Sequence, residues 1–148
     1  MKARKEKQVI GKSEVIDFPD LGLYGIQAKI DTGAYTTALH CHDIHVKDNV
    51  LYFKFLDPSH PTYSERQQQF REFGQKDIKN SFGEVEKRYI IKTRIRIGRR
   101  VIKSVISLTN RGTMRYPVLI GRKLLKRRFI VDAEQENILP VKKKKVRS

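Results

Sequence analysis

Along most of the chain, apolar and polar residues alternate with a period of two. That is the mark of half-buried strands, because successive side chains of an extended backbone point to opposite faces. Tyr24, Ile26, Ala28 and Ile30 alternate with Gly25, Gln27 and Lys29 and lead straight into Asp31. Tyr89, Ile91, Thr93, Ile95 and Ile97 alternate with Ile90, Lys92, Arg94 and Arg96; Gly98-Arg99-Arg100 then turns the chain into a second extended run from Val101 to Leu108. Shorter strands are predicted at Val9-Ile10-Gly11, at Val15 to Phe18 before the breaker Pro19-Asp20-Leu21-Gly22, and at Phe129-Ile130-Val131. Ala38 to Val46 reads as a strand that Lys47-Asp48-Asn49 folds onto Val50 to Leu56 as a hairpin. Residues 57–76, with Pro58, Pro61, Gly74 and the run Gln67-Gln68-Gln69, read as a long surface loop. A turn around Phe82-Gly83 separates two further extended segments, and only Lys123 to Arg128 has helical character. The sum is an all-β fold, a small closed or partly closed barrel with one short helix near the C-terminus.

Length and charge narrow the picture. At 148 residues, 39% of them hydrophobic, the chain suffices for one core and is not a disordered polymer. The expected division is a charged tail over residues 1–8, a barrel domain over 9–139 and a basic tail over 140–148, where Lys142-Lys143-Lys144-Lys145-Val146-Arg147 follows Pro140. Against 16 Asp and Glu stand 32 Lys and Arg, a formal charge of +16. Such a field concentrates polyanions, so RNA, an anionic membrane surface and an acidic peptide are all candidate partners. The single cysteine, Cys41, excludes an intrachain disulfide and fits a reducing compartment. No apolar segment follows the charged residues Met1 to Lys7, and no run approaches the length of a membrane span, so a cytoplasmic protein without membrane attachment is expected.

The candidate chemistry sits at a strand end. Ala28-Lys29-Ile30-Asp31-Thr32-Gly33-Ala34 aims a short carboxylate out of a strand, and Gly33 lets backbone N–H groups approach it without a Cβ in the way. Far downstream comes Val118-Leu119-Ile120-Gly121-Arg122. Together the two segments resemble the aspartic peptidases of the retroviral type, with one half-site per chain. The longer stretches Lys29 to His40, Asn80-Ser81-Phe82-Gly83 and Asn110 to Arg122 resemble more specifically a bacterial retropepsin-like family that often carries the label "ATP-dependent zinc protease". That resemblance implies a barrel of the acid-protease type, too small here for two pepsin-like lobes, and hence a homodimer in which a second copy supplies the other carboxylate. It implies Asp31, Thr32 and Gly33 as the catalytic turn. It further implies Ala34, Ile120, Gly121 and Arg122, with Phe82 and Gly83 on a flap, as substrate-binding residues. Two carboxylates a few ångströms apart do not both ionise, so such a pair shares a proton, one member acting as base toward water and the other protonating the scissile carbonyl. Where the viral pattern has an Asp that pairs with the arginine, this chain has Tyr35, so Arg122 either braces the loop or faces substrate.

His40, Cys41, His42 and His45 form a cluster reminiscent of metal ligands. By strand alternation His40 and His42 share a face while Cys41 and His45 point away, and neither a His-Glu-x-x-His helix nor a Gly-rich nucleotide loop occurs, so no metal and no cofactor is expected. The same alternation separates Cys41 from its neighbouring histidines and makes it a packing residue, not a nucleophile. Two functions remain in view beside a zinc-dependent protease. One is an aspartic endopeptidase acting on an acidic substrate; members of the resembled family are associated with ligases that add glutamates to a ribosomal protein, and some are proposed to trim that tail. The other is a noncatalytic basic barrel that binds RNA or the ribosome, for which Lys92, Arg94, Arg96, Arg99 and Arg100 on one hairpin would be the contact surface.

Overall fold

The computed structural model describes residues 6–79, 82–110 and 115–140. The two ends proposed as tails lie largely outside that range, as do Asn80, Ser81 and Arg111 to Met114 of the resembling segments. The strands are β1 (Gln8–Ile10), β2 (Ser13–Phe18), β3 (Leu23–Ile30), β4 (Thr37–Lys47), β5 (Val50–Phe55), β6 (Gln67–Phe70), β7 (Gly74–Lys79), β8 (Val85–Ile97), β9 (Arg100–Thr109), β10 (Val118–Ile120) and β11 (Phe129–Val131). One helical turn, α1 (Arg122–Leu125), separates the last two.

Six strands close on themselves in the order β10-β3-β2-β8-β9-β4, and β4 returns to β10. The alternation read from the sequence is what closes it: Ile26, Ala28 and Ile30 of β3 face inward with Ile91, Ile95 and Ile97 of β8, all buried. Each of these isoleucines contributes roughly 1.5–3 kcal/mol on leaving water. The all-β barrel expected from the chain is therefore the fold, with α1 as its one short α-helix among the described residues.

One connection sets the geometry of everything functional. β3 and β4 follow one another in sequence yet are not neighbours, because β10 is inserted between them. It runs parallel to β3 (Val118 opposite Ala28, Ile120 opposite Ile30) and antiparallel to β4 (Val118 opposite Leu39). The residues linking β3 to β4, 31–36, must therefore arch over the end of β10.

Three local readings change. The segment 57–76 is not a bare loop: β6 pairs antiparallel with β5, Phe70 stacks on Phe53, and β7 already begins at Gly74. Gln67-Gln68-Gln69 hides this strand from a hydrophobicity pattern because its stabilisation comes from the β5 ladder and from Gln68 Nε2 donating to the Leu21 carbonyl. The helix occupies Arg122–Leu125, not Lys123 to Arg128, and the left-handed backbone of Arg127 (φ 67°) follows close behind it. In β4 a bulge falls between His42 and His45, with Asp43 at φ 53°; His42 lies opposite Lys54 and His45 opposite Tyr52. Since Lys54 and Tyr52 share a face, so do His42 and His45, which reverses the alternation expected for His45.

The ends of the described chain are tied by a buried acid. Glu14, fully buried in β2, accepts the backbone N–H groups of Gly11 (2.7 Å), Leu139 (3.0 Å) and Ile138 (3.3 Å). Gly11 is required beside it, because a Cβ there would sit 2.5 Å from the Gln135 carbonyl oxygen. No helix among the described residues is long and apolar enough to cross a membrane.

Removing this acid should be costly, since buried amides left without an acceptor destabilise by about 1–3 kcal/mol each. Glu14→Ala is expected to lower unfolding free energy by roughly 3 kcal/mol in a urea titration, and Glu14→Gln, which keeps one acceptor oxygen, by distinctly less. Equal stability of Glu14→Ala and wild type would show that the C-terminal segment is not held this way.

Candidate active site

The loop that arches over β10 is held from below by backbone. Asp31 N–H donates to the Ile120 carbonyl (2.9 Å), Arg122 N–H to the Ala34 carbonyl (2.8 Å) and Lys123 N–H to the Tyr35 carbonyl (3.0 Å). Between them Gly121 N–H donates to Thr37 Oγ1 (3.1 Å), and a Cβ at Gly121 would lie 2.5 Å from the Tyr35 carbonyl oxygen. The Ile-Gly-Arg segment therefore needs glycine for close approach of backbone to backbone, not for an unusual dihedral. Thr37, buried at the start of β4, lies within the stretch Lys29 to His40, and nothing in the sequence alone marks its role. It stands one short loop after the Asp-Thr-Gly turn, but only the fold pairs it with Gly121.

Within the loop Asp31 is partly exposed, and its Oδ1 accepts the Gly33 N–H at 3.0 Å. A Cβ at Gly33 would come within 3.2 Å of that same oxygen, so glycine keeps the approach open. The carboxylate is thus oriented by one main-chain donor while remaining at the surface of the single chain. Thr32 and Gly33 are exposed and Ala34 is half-buried beside them.

The other named residues divide by role. The side chain of Ile120 is fully buried in the barrel and touches the loop through its carbonyl. Arg122 braces the loop: its Nη1 donates to the Thr32 carbonyl (2.9 Å) and its guanidinium lies 5.7 Å from the Tyr35 ring centroid. Phe82, 88% exposed, and Gly83, at φ 80°, stand at the tip of the β7–β8 hairpin. The link from that hairpin to the loop runs through Lys76 of β7, whose Nζ is 6.0 Å from the Tyr35 centroid.

Two of the clustered histidines are engaged elsewhere, and the third, His40, is buried with its Nε2 unpartnered among the described residues. His42 Nε2 meets the Ser64 carbonyl (2.9 Å), His45 stacks on Tyr52, and buried His40 is held below the usual histidine range, first by desolvation and then by His42. No cluster of three or more His, Cys, Asp or Glu suited to a metal ion occurs among the described residues. Cys41 is in the core, and burial pushes its thiol well above the ordinary value. On the basic hairpin, Arg94 is bound by Asp20, whose carboxyl this guanidinium draws down to about 2, and Arg100 Nη2 donates to the Glu6 carbonyl.

The sequence profile of the RimB-like family, described as retropepsin-like aspartic endopeptidase RimB, matches residues 9–142. The chain belongs to this family. Two curated relatives are a "probable alpha-L-glutamate ligase" of Desulfotalea psychrophila, 32% identical over 132 residues, and a protein of the same name from Shewanella halifaxensis, 33% identical over 135. These matches take in 85% and 87% of this chain but only 28% and 29% of the relatives, so the chain spans well under a third of their length. Among solved structures, the Legionella pneumophila protein Lpg0085 superposes with a TM-score of 0.68 at 25% identity, covering 90% of this chain and 98% of its own. The RimB-like assignment and the barrel thus agree.

Two outcomes follow from this packing. Gly121→Ala should destabilise the fold by more than about 2 kcal/mol in urea unfolding, and Thr37→Val by about 1 kcal/mol, because the first drives a Cβ into backbone and the second removes one hydrogen-bond acceptor. Wild-type stability of Gly121→Ala would show that the loop does not rest on β10 as described. Cys41 should stay unreactive toward a chromogenic disulfide reagent in the native protein and react at the rate of a free thiol in denaturant; rapid native modification would contradict its burial.

Proposed function

We propose that this chain is one half of a homodimeric aspartic endopeptidase whose substrate is an acidic peptide. The observation that carries the reading is the single oriented carboxylate of Asp31, fixed by Gly33 and Ile120 at the surface of one chain, in a family of retropepsin-like aspartic endopeptidases. A two-carboxylate site then requires a second copy, in which the two Asp31 side chains share one proton and hold one water. The unprotonated carboxylate takes a proton from the water as its oxygen bonds to the scissile carbonyl carbon. The protonated one gives its proton to the carbonyl oxygen. Collapse of the resulting diol breaks the C–N bond: the leaving nitrogen takes the proton held between the carboxylates, and one diol hydroxyl gives its proton back to them as the new C=O forms. Thr32 and Gly33 position the turn, Arg122 braces it from Thr32, and the hairpin tip at Phe82-Gly83 would cover the peptide.

Two facts support an acidic substrate rich in glutamate. The formal charge of +16 favours the approach of polyanions. The relatives that contain a segment similar to this chain are named for glutamate ligation, although a chain that spans 28–29% of them does not inherit their whole activity. Trimming of a glutamate tail on a ribosomal protein would join both.

Incubation with an oligoglutamyl peptide tests the chemistry. Asp31→Asn is expected to lower kcat/KM by at least ~10³-fold with an unchanged unfolding midpoint, a metal chelator is expected to leave cleavage intact, and sedimentation with bound peptide should show dimers. Cleavage that survives Asp31→Asn, or that a chelator abolishes, would remove the aspartic mechanism.

A further inference from the structure

Tyr35 occupies the loop two residues after Gly33, with 44% of its surface exposed. Cations from three separate places converge on its ring: Lys76 Nζ from β7 at 6.0 Å, the Arg122 guanidinium from α1 at 5.7 Å and Lys126 Nζ, just beyond α1, at 5.7 Å. Each is attracted by the negative face of the ring, but the three repel one another. Among the described residues no carboxylate forms an ion pair with Lys76, Arg122 or Lys126. A shared aromatic ring offsets only part of that repulsion. The cluster is short of an anion.

The same positive surface continues around α1. An open depression of about 450 Å³ is lined by the cations Lys7, Arg122, Lys126 and Arg127, by the apolar Leu125 and Phe129, and by Thr32, the neighbour of Asp31, with no acid in its lining. Arg122 and Lys126 belong to both features, so the cation ring and the depression form one site. Apolar residues beside cations suit a flexible methylene stem that ends in a carboxylate.

We propose that Tyr35 and the cations around it form a subsite that selects a carboxylate-bearing side chain of a peptide passing over the Asp31 loop. Lys76 and Lys126 are the selecting charges, because Arg122 already donates to the Thr32 carbonyl. Placing this side chain beside the scissile bond rests on the endopeptidase reading; binding of the acidic peptide does not. Tyr35 thus takes over the position where the viral peptidases carry an acid and serves as a platform that gathers positive charge.

The experiment uses the full chain carrying Asp31→Asn, so that binding is read without cleavage, and a fluorescent hexaglutamyl peptide beside its hexaglutaminyl counterpart. Lys126→Glu and Lys76→Glu should each raise Kd for the glutamyl peptide about tenfold or more, with far smaller changes for the glutaminyl peptide, while Lys126→Arg retains the selectivity. Tyr35→Ala, which removes the platform, should also reduce the preference for glutamate over glutamine. Equal loss for both peptides, unchanged affinity in the reversed-charge variants, or a single-stranded RNA that binds more tightly and is lost in the same variants would overturn the proposal. Selective binding without any cleavage by the wild type would sink the peptidase reading alone. Cleavage by the wild type with no charge selectivity in these variants would sink the subsite alone.

Discussion

The contact on which the rest depends is the seating of a glycine under a loop. Gly121 lies so close to the Tyr35 carbonyl that no other residue fits, and its N–H is received by Thr37. Because β10 is wedged between β3 and β4, this one approach joins three strands and the turn at Asp31. The three-residue β10 could not hold such a position by side-chain burial alone. What holds it are ladders on both edges and the main-chain bonds that flank Gly121.

From that seating follows the electrostatic character of the loop. Asp31 receives one main-chain donor on one oxygen and stays at the surface, while the arginine next to Gly121 is turned back onto the loop's own carbonyl. An acid of one chain and the cations of α1 are therefore presented on the same rim. The barrel supplies rigidity and the loop carries the candidate carboxylate, a division that a closed sheet with arched connections makes easy.

The large positive charge is not spread as an undifferentiated coat. Arg94 is bound to Asp20, Arg88 to Glu86, and Arg100 lies over Phe129 while it donates to Glu6. Lys76, Arg122, Lys126, Lys7 and Arg127 gather instead near Tyr35 and Thr32, and among the described residues none of them is ion-paired with a carboxylate. Net charge predicts attraction of polyanions; its placement beside the loop predicts where they are received.

The sequence by itself determined the all-β class, the strand that ends in Asp31, the hairpins at Lys47-Asp48-Asn49 and Gly98-Arg99, and the link between the Asp-Thr-Gly turn and the Ile-Gly-Arg segment. All of these are local alternation, turn chemistry or motif. It did not contain the strand at Gln67–Phe70, because a polar edge strand draws its order from the neighbour it pairs with. Nor did it reveal that His42 and His45 share a face, which a single left-handed residue at Asp43 brings about. Only tertiary structure decided that Arg122 braces the loop, that Thr37 receives Gly121 and that Glu14 ties down the C-terminal segment. Those partners are far apart along the chain. No pattern of neighbours encodes a contact that exists only when the barrel has closed.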